Sequence, residues 1–205
     1  MNQIERLQDE YVDPAVFARA YLHYVGDVLR RIDPAAVGAF VAALLDARAR
    51  NARIFFLGNG GSAATANHFA NDLAIGTRSS RRPFRALSIT DNVAVMTAIA
   101  NDYGYDQMFV RQLQALCEPG DLVVSISASG NSPNVLSASR WANENGNLTV
   151  GLTGFDGGEL ARLVRINVSV PTDKGEYGPV EDGHMVINHV VGAYLTGFVC
   201  HESQP

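Results

Sequence analysis

Cysteine is scarce in this chain. Cys117 and Cys200 are the only two in 205 residues, and nothing in their spacing suggests a zinc ribbon or a redox pair. Long hydrophobic runs are also missing. No stretch approaches the roughly 20 apolar residues of a membrane span, and the charged first ten residues lack the apolar segment of a signal peptide. Positive charge is in deficit, with 16 Lys and Arg against 21 Asp and Glu and a net charge of -5. That balance argues against a general nucleic-acid or membrane-surface binder. One basic cluster, at 78–85, reads as a solvated loop ahead of a strand. Asn147 and Asn167 head glycosylation sequons, but without an export signal these are chance matches. A cytoplasmic, reduced protein is the expectation, with no internal repeat, long linker or low-complexity segment. At 47% hydrophobic residues, one domain over 1–205 with a sizeable core is expected.

What is present is an ordered alternation. Residues 1–51 read as helical. Asp13-Pro14 and Asp33-Pro34 each pair a cap with a first-turn proline. Val16, Tyr21, Val25 and Leu29 form one apolar stripe, and Val37, Phe40, Val41, Leu44 and Leu45 form the next. Such a hairpin either covers a sheet or packs against another subunit. From 52 onward strands are expected at 53–57, 85–89, 122–126, 148–152 and 165–170. Helices are expected at 62–74, 92–100, 107–117, 133–145, 157–163 and about 179–199. This alternation means a parallel sheet with helices on both faces, and ligands beyond the carboxyl ends of its strands.

Two of those strand ends empty into small residues, Gly58-Asn59-Gly60-Gly61-Ser62 and Ser127-Ala128-Ser129-Gly130-Asn131-Ser132. Glycine lets a backbone approach a ligand, helix-start N–H groups attract anions, and the serine hydroxyls add donors. Gly58, Gly60 and Ala63, with Asp91 after the next strand, also fit a dinucleotide fingerprint. A nicotinamide cofactor does not require the second loop, so a phosphosugar is favoured over a dinucleotide. Neither loop holds a lysine, so the phosphate would be gripped by neutral hydrogen bonds.

His68 and Asp72, four apart on an expected helix, share a face and suit either a metal ion or acid–base work. An ordinary surface hydrogen bond is the competing reading. Glu181, Asp182, His184 and His189 open the last helix. First-turn carboxylates are commonly only dipole partners, and a histidine among Val186, Ile187, Val190 and Val191 can be a core residue. Glu181 and His189 lie about 12 Å apart along a regular helix, so spacing alone gives little support to one site.

With these residues in view, the chain resembles the sugar isomerase (SIS) domain proteins and, among them, the phosphoheptose isomerases. Further anchors are residues 97–104, Leu152-Thr153-Gly154 and Asp156-Gly157-Gly158. The resemblance implies a three-layer α-β-α sandwich, a five-stranded parallel sheet preceded by the helical hairpin. It implies sugar-phosphate contacts from Asn59, Gly60, Gly61, Ser62, Asn101, Asp102, Ser127, Ala128, Ser129, Ser132 and Glu181. It implies zinc at His68, Asp72, Glu181 and His189, in sites shared between subunits of a homotetramer. Asp72, His189 and Glu181 are the implied catalytic residues, in aldose–ketose isomerisation of sedoheptulose 7-phosphate through a cis-enediol. Asp72 stands where the family generally has glutamate, and Glu181 where it has glutamine. The stretch 172–179 differs from the family's usual loop, which leaves another sugar phosphate as an alternative. A second alternative is a non-catalytic tetramer acting as adaptor of a bacterial replication initiator, a branch that residues 90–102 resemble. That branch lacks an acid at the position of Asp72.

Overall fold

The computed structural model describes residues 1–79 and 81–202. Five parallel strands, β1 (Arg53–Gly58), β2 (Arg85–Ser88), β3 (Leu122–Ser127), β4 (Leu148–Gly154) and β5 (Ile166–Val170), form one sheet in the order β2-β1-β3-β4-β5. In register, Ile54 lies between Ala86 and Leu122, Leu122 faces Leu148, and Val150 faces Ile166. All six residues of β3 are buried, as expected of a central strand covered on both faces.

One face carries α3 (Pro34–Ala49), α4 (Gly61–Asn71) and α9 (Tyr177–Glu202). Their core contains Phe40, Leu44, Phe56, Phe69, Val124, Ile187 and Val191. The other face carries α6 (Val110–Leu116), α7 (Pro133–Glu144) and α8 (Leu160–Leu163), with Phe55, Val123, Leu113, Val135 and Leu160 between them and the sheet. Phe69 stacks on Phe56 with centroids 5.1 Å apart and tilts toward Phe40 at 5.9 Å, so three elements meet at one ring. α2 (Pro14–Arg30) lies on the outside of α9, and the Asp13 and Asp33 caps form as expected, Asp13 accepting from the Ala15 and Val16 N–H groups and Asp33 from that of Ala35.

Four departures from the sequence expectations have local causes. A further helix, α1 (Gln3–Glu10), precedes the hairpin, closed by a capping box between Asn2 and Glu5. The helix expected at 62–74 leaves α geometry at Asp72, where a π turn (Asp72–Gly76) begins with Thr77 N–H donating to the Asp72 carbonyl. The 107–117 helix divides into a 3₁₀ turn (Tyr105–Gln107) and α6. The 157–163 helix shrinks to α8, because Gly157 and Gly158 both have positive φ. α5 (Val93–Tyr103) is apolar yet has no buried residue. Ser80, inside the 78–85 basic cluster, lies outside the described residues. Arg81, Arg82 and Arg85 around it are exposed, as expected, while Arg48 reaches the Arg82 carbonyl from α3. No described helix is long and apolar enough to cross a membrane.

His184 is fully buried, and its Nε2 donates to the Thr153 carbonyl at 3.1 Å. This leaves Nδ1 as a buried acceptor with no partner. Burial lowers its pKa to about 4. A depressed histidine binds fewer protons folded than unfolded between its two pKa values, so stability falls as pH drops from about 6.5 toward 4.

Two measurements check this core. Phe40→Ala should lose about 3–5 kcal/mol in urea unfolding, against less than about 0.5 kcal/mol for Val12→Ala at an exposed site. His184→Gln should flatten the decline of stability between pH 6.5 and 4 relative to the unsubstituted chain, whatever its stability at pH 7.

Candidate active site

In the strand order 2-1-3-4-5 the chain changes direction between β1 and β3, and ligands of open α/β sheets sit at such a switch point. Both serine-glycine loops leave from there. Asn59 and Asn134 lock them together, each side-chain amide donating to the other's oxygen at 2.9 Å, and the Tyr105 hydroxyl donates to Asn59 Oδ1 at 3.0 Å. Gly60 has φ +53 and ψ -123, a conformation that side chains strongly disfavour, and it turns β1 directly into α4. In the second loop Ser127 and Ser132 hydroxyls lie 3.3 Å apart, and Asn131 Oδ1 accepts from Glu159 N–H at 3.0 Å. Gly130 is required for close packing, since a Cβ there would collide with the Gly157 carbonyl.

Between the loops is a cavity of about 170 Å³, lined by Asn59, Ser62, residues 126–129, Ser132, Tyr177 and Glu181. Whole-ligand pockets commonly measure about 300–1,000 Å³. This one therefore suits a phosphate-sized head and the carbons next to it, with the rest of a sugar extending outside. Among the described residues, no lysine or arginine lines it.

Glu181 places its carboxylate over Gly61, where a Cβ would overlap it, beside the start of α4. Burial first, and the neighbouring Asp182 second, raise its pKa. Asp182 accepts from the Tyr21 hydroxyl of α2 at 3.1 Å. Tyr177 sets its ring edge-on to Phe155, centroids 5.1 Å apart and planes at 84°. Phe155 follows the last residue of β4 with φ +54. A left-handed conformation costs a bulky residue about 1–2 kcal/mol.

α4 and α9 pack side by side, and the contacts Gly61 with Glu181 and Asp72 with Asn188 show that both run away from the loops together. Further along that pair, His68, Asp72 and His189 bring their ligand atoms within 4.8 Å of one another. His68 Nε2 is 3.2 Å from Asp72 Oδ2, and the His68 and His189 rings meet edge to face at 5.2 Å. Buried Asn188 donates to Asp72 Oδ2 at 2.8 Å and fixes the carboxylate. Two imidazoles and one carboxylate are a donor set suited to Zn²⁺ with an open fourth position, and the Asn188 contact is the kind of outer support such ligands have. Asp72 and His189 also border a separate cleft of about 230 Å³.

The expected residues are thus brought together only in part. His68, Asp72 and His189 converge, while Glu181 lies outside their cluster because eight residues of regular helix separate it from His189. Asn59, Ser62, Ser127, Ala128, Ser129, Ser132 and Glu181 share the first cavity, with Gly60 and Gly61 in its loop. Asn101 and Asp102 do not line it. They are exposed at the end of α5 and bonded to each other at 2.8 Å. Asp91 borders a cleft beside β2 instead of the loops. Tyr177, Asn134, Tyr105 and Asn188 escaped the sequence reading. Asn188, directly before His189, was the most accessible of them.

Comparison with known proteins gives these features a context. The SIS domain family model matches residues 20–154. The chain is 40% identical over 173 residues to a phosphoheptose isomerase of Geobacter metallireducens, covering 84% of this chain and 90% of that one. It is 41% identical over 186 residues to that of Solidesulfovibrio magneticus, covering 91% and 86%. The solved phosphoheptose isomerase of Neisseria gonorrhoeae superposes with a TM-score of 0.78 at 29% identity, over 89% of this chain and 99% of that one. The Francisella tularensis structure gives 0.82 at 25%, over 91% and 100%. With a phosphate-sized cavity at the switch point and a His–Asp–His cluster along the same helix pair, the chain belongs to the SIS domain family, in its phosphoheptose isomerase group.

Proposed function

We propose that this enzyme interconverts sedoheptulose 7-phosphate and glycero-manno-heptose 7-phosphate through a cis-enediol. The observation that carries the reading is the spacing of the two polar centres along one helix pair. Gly61 and His68 are seven residues apart on α4, about 10 Å at 1.5 Å per residue. In a heptose 7-phosphate the phosphate-bearing carbon is five carbon–carbon bonds of about 1.5 Å from C2. A seven-carbon chain with its phosphate between the loops thus has a reach of the right order to bring C1 and C2 near the second centre. The names of the relatives agree with this substrate.

In this reading the hydroxyls of Ser127, Ser129 and Ser132, the Asn59 amide and the loop N–H groups hold the phosphate. The Asp72 carboxylate, oriented by Asn188, removes a proton from C1 of the ketose and, after exchange with solvent, delivers one to C2. His189 transfers the O1 proton to O2. The sum converts a C2 carbonyl and C1 alcohol into a C1 aldehyde and C2 alcohol with no net gain or loss. Zn²⁺ held by His68, Asp72 and His189 supplies carbonyl polarisation when bound. Glu181 belongs with the phosphate end in this scheme, so the four-residue metal set implied by the family resemblance becomes three.

The apolar, unburied α5 supports a homotetramer in which Asn101 and Asp102 complete a neighbour's site. The acid retained at Asp72, with both imidazoles beside it, supports an enzyme over an initiator adaptor.

Three outcomes check the proposal. Protein incubated with sedoheptulose 7-phosphate in deuterated water should label the product sugar, and Asp72→Asn should lower kcat by about 10²–10⁴. An unlabelled product pool with zinc-loaded tetramer would remove the assignment. Metal analysis should find zinc in the purified protein and its loss in His68→Ala. Mixing inactive His68→Ala and Asp102→Ala tetramers after subunit exchange should restore partial activity, whereas continued inactivity would place Asp102 outside a shared site.

A further inference from the structure

We propose that Tyr177 is a substrate-binding residue that grips the carbon chain beside the phosphate, and so sets which phosphate esters this pocket prefers. The inference rests on the reading of the two loops as a phosphate site. Asn59, Ser62, the serine loop and Glu181 supply the polar lining of the cavity, and Tyr177 supplies the only aromatic surface among the described residues that line it. An aromatic ring at the mouth of a phosphate-sized pocket cannot contact the phosphate more usefully than the hydroxyls do. It can pack against C–H groups of the chain that leaves the pocket, where apolar contact is gained without a new charge.

Two neighbours place this residue. On the inner side Phe155 meets it edge to face, and Phe155 keeps its unfavourable φ of +54 in the turn that closes β4. That turn is joined to the serine loop, because Gly154 N–H donates to the Ala128 carbonyl at 3.0 Å. On the outer side the preceding residue, Glu176, is 1% exposed and accepts four hydrogen bonds. They come from the N–H groups of Gln3 (2.7 Å), Ile4 (3.2 Å) and Asp173 (3.1 Å), and from the Tyr24 hydroxyl. A buried carboxylate with that many donors is a fixed point. Phe155 thus packs on the half-exposed ring itself, while Glu176 fixes the backbone that leads into it. Strain retained in the residue beneath such a ring is characteristic of binding sites.

The chemical class selected is a phosphate monoester on an extended polyhydroxylated carbon chain, in preference to inorganic phosphate. The experiment is calorimetric titration of the full-length protein and its Tyr177→Ala and Tyr177→Phe variants, each confirmed folded by thermal melting. The ligands are sedoheptulose 7-phosphate and inorganic phosphate. Tyr177→Ala should weaken the sugar phosphate about 10-fold, the scale of one well-placed ring contact, and leave inorganic phosphate within about twofold. Tyr177→Phe should bind both like the unsubstituted protein. Equal loss for both ligands in Tyr177→Ala would make the residue a support for the loop and overturn the proposal, as would no loss for either. Failure of Tyr177→Phe to retain sugar binding would overturn the role of the ring. If the unsubstituted protein binds neither ligand, the phosphate-site reading itself is lost, an outcome distinct from the others.

Discussion

Two carboxamides, Asn59 and Asn134, hold the ends of β1 and β3 at a fixed separation, each donating to and accepting from the other. Everything proposed for the site depends on that lock. The two loops converge only because their strands are neighbours in the sheet, and the amide pair keeps them facing each other. α4 and α7 begin directly at these loops, so the same constraint aims two helix starts at one point. α4 then carries His68 and Asp72 alongside α9, and a ligand gripped between the loops is thereby referred to a second polar centre. In the proposed reading, the phosphate grip and the reacting carbons are coupled through α4 and α9, an arrangement that favours remote binding energy being used to orient the substrate.

Much of this was legible in the chain itself. The Asp13-Pro14 and Asp33-Pro34 devices announce two helices because a cap and a fixed φ act locally. The apolar strands announce themselves by composition, although each loop-bearing strand runs one residue further than its apolar stretch, into Gly58 and Ser127. α1 fell within the helical reading of 1–51 but was not set apart from the hairpin, because its capping box at Asn2 and Glu5 precedes only eight helical residues, with Leu7 the one buried among them. The π turn at Asp72 has no residue signature, and it packs against both β2 and α9. The i,i+4 pair His68 and Asp72 was visible as a pair. That His189 joins them depends on how α4 and α9 lie together, which no spacing within either helix reveals. Glu181 shows the converse limit, where family likeness suggested a ligand and helix rise kept it away. Tyr177 lies in the stretch 172–179 that stood out in the sequence, but its contact with Phe155, distant along the chain, left no local signal.

The core beneath the site tolerates two local costs, and both lie near its working surface. Phe155 is held against its backbone preference, and His184 is buried with one ring nitrogen unpartnered. Each sits on an element that closes the pocket, β4's end for the first and the opening turns of α9 for the second. The aromatic packing of Phe40, Phe56 and Phe69 on that face of the sheet offsets such costs, as is usual where a fold gives up stability around a site.

The carboxylate of Glu181 has a consequence for how this pocket treats anions. It lies within the same small cavity as the serine loop, where burial and Asp182 already favour its neutral form. A phosphate dianion entering that space adds a second like charge and favours that neutral form further. In the proposed reading, occupation of the cavity by phosphate and protonation of Glu181 therefore favour each other. With no basic side chain among the described residues that line it, the pocket would meet an anion with a carboxylate that repulsion drives toward its neutral form.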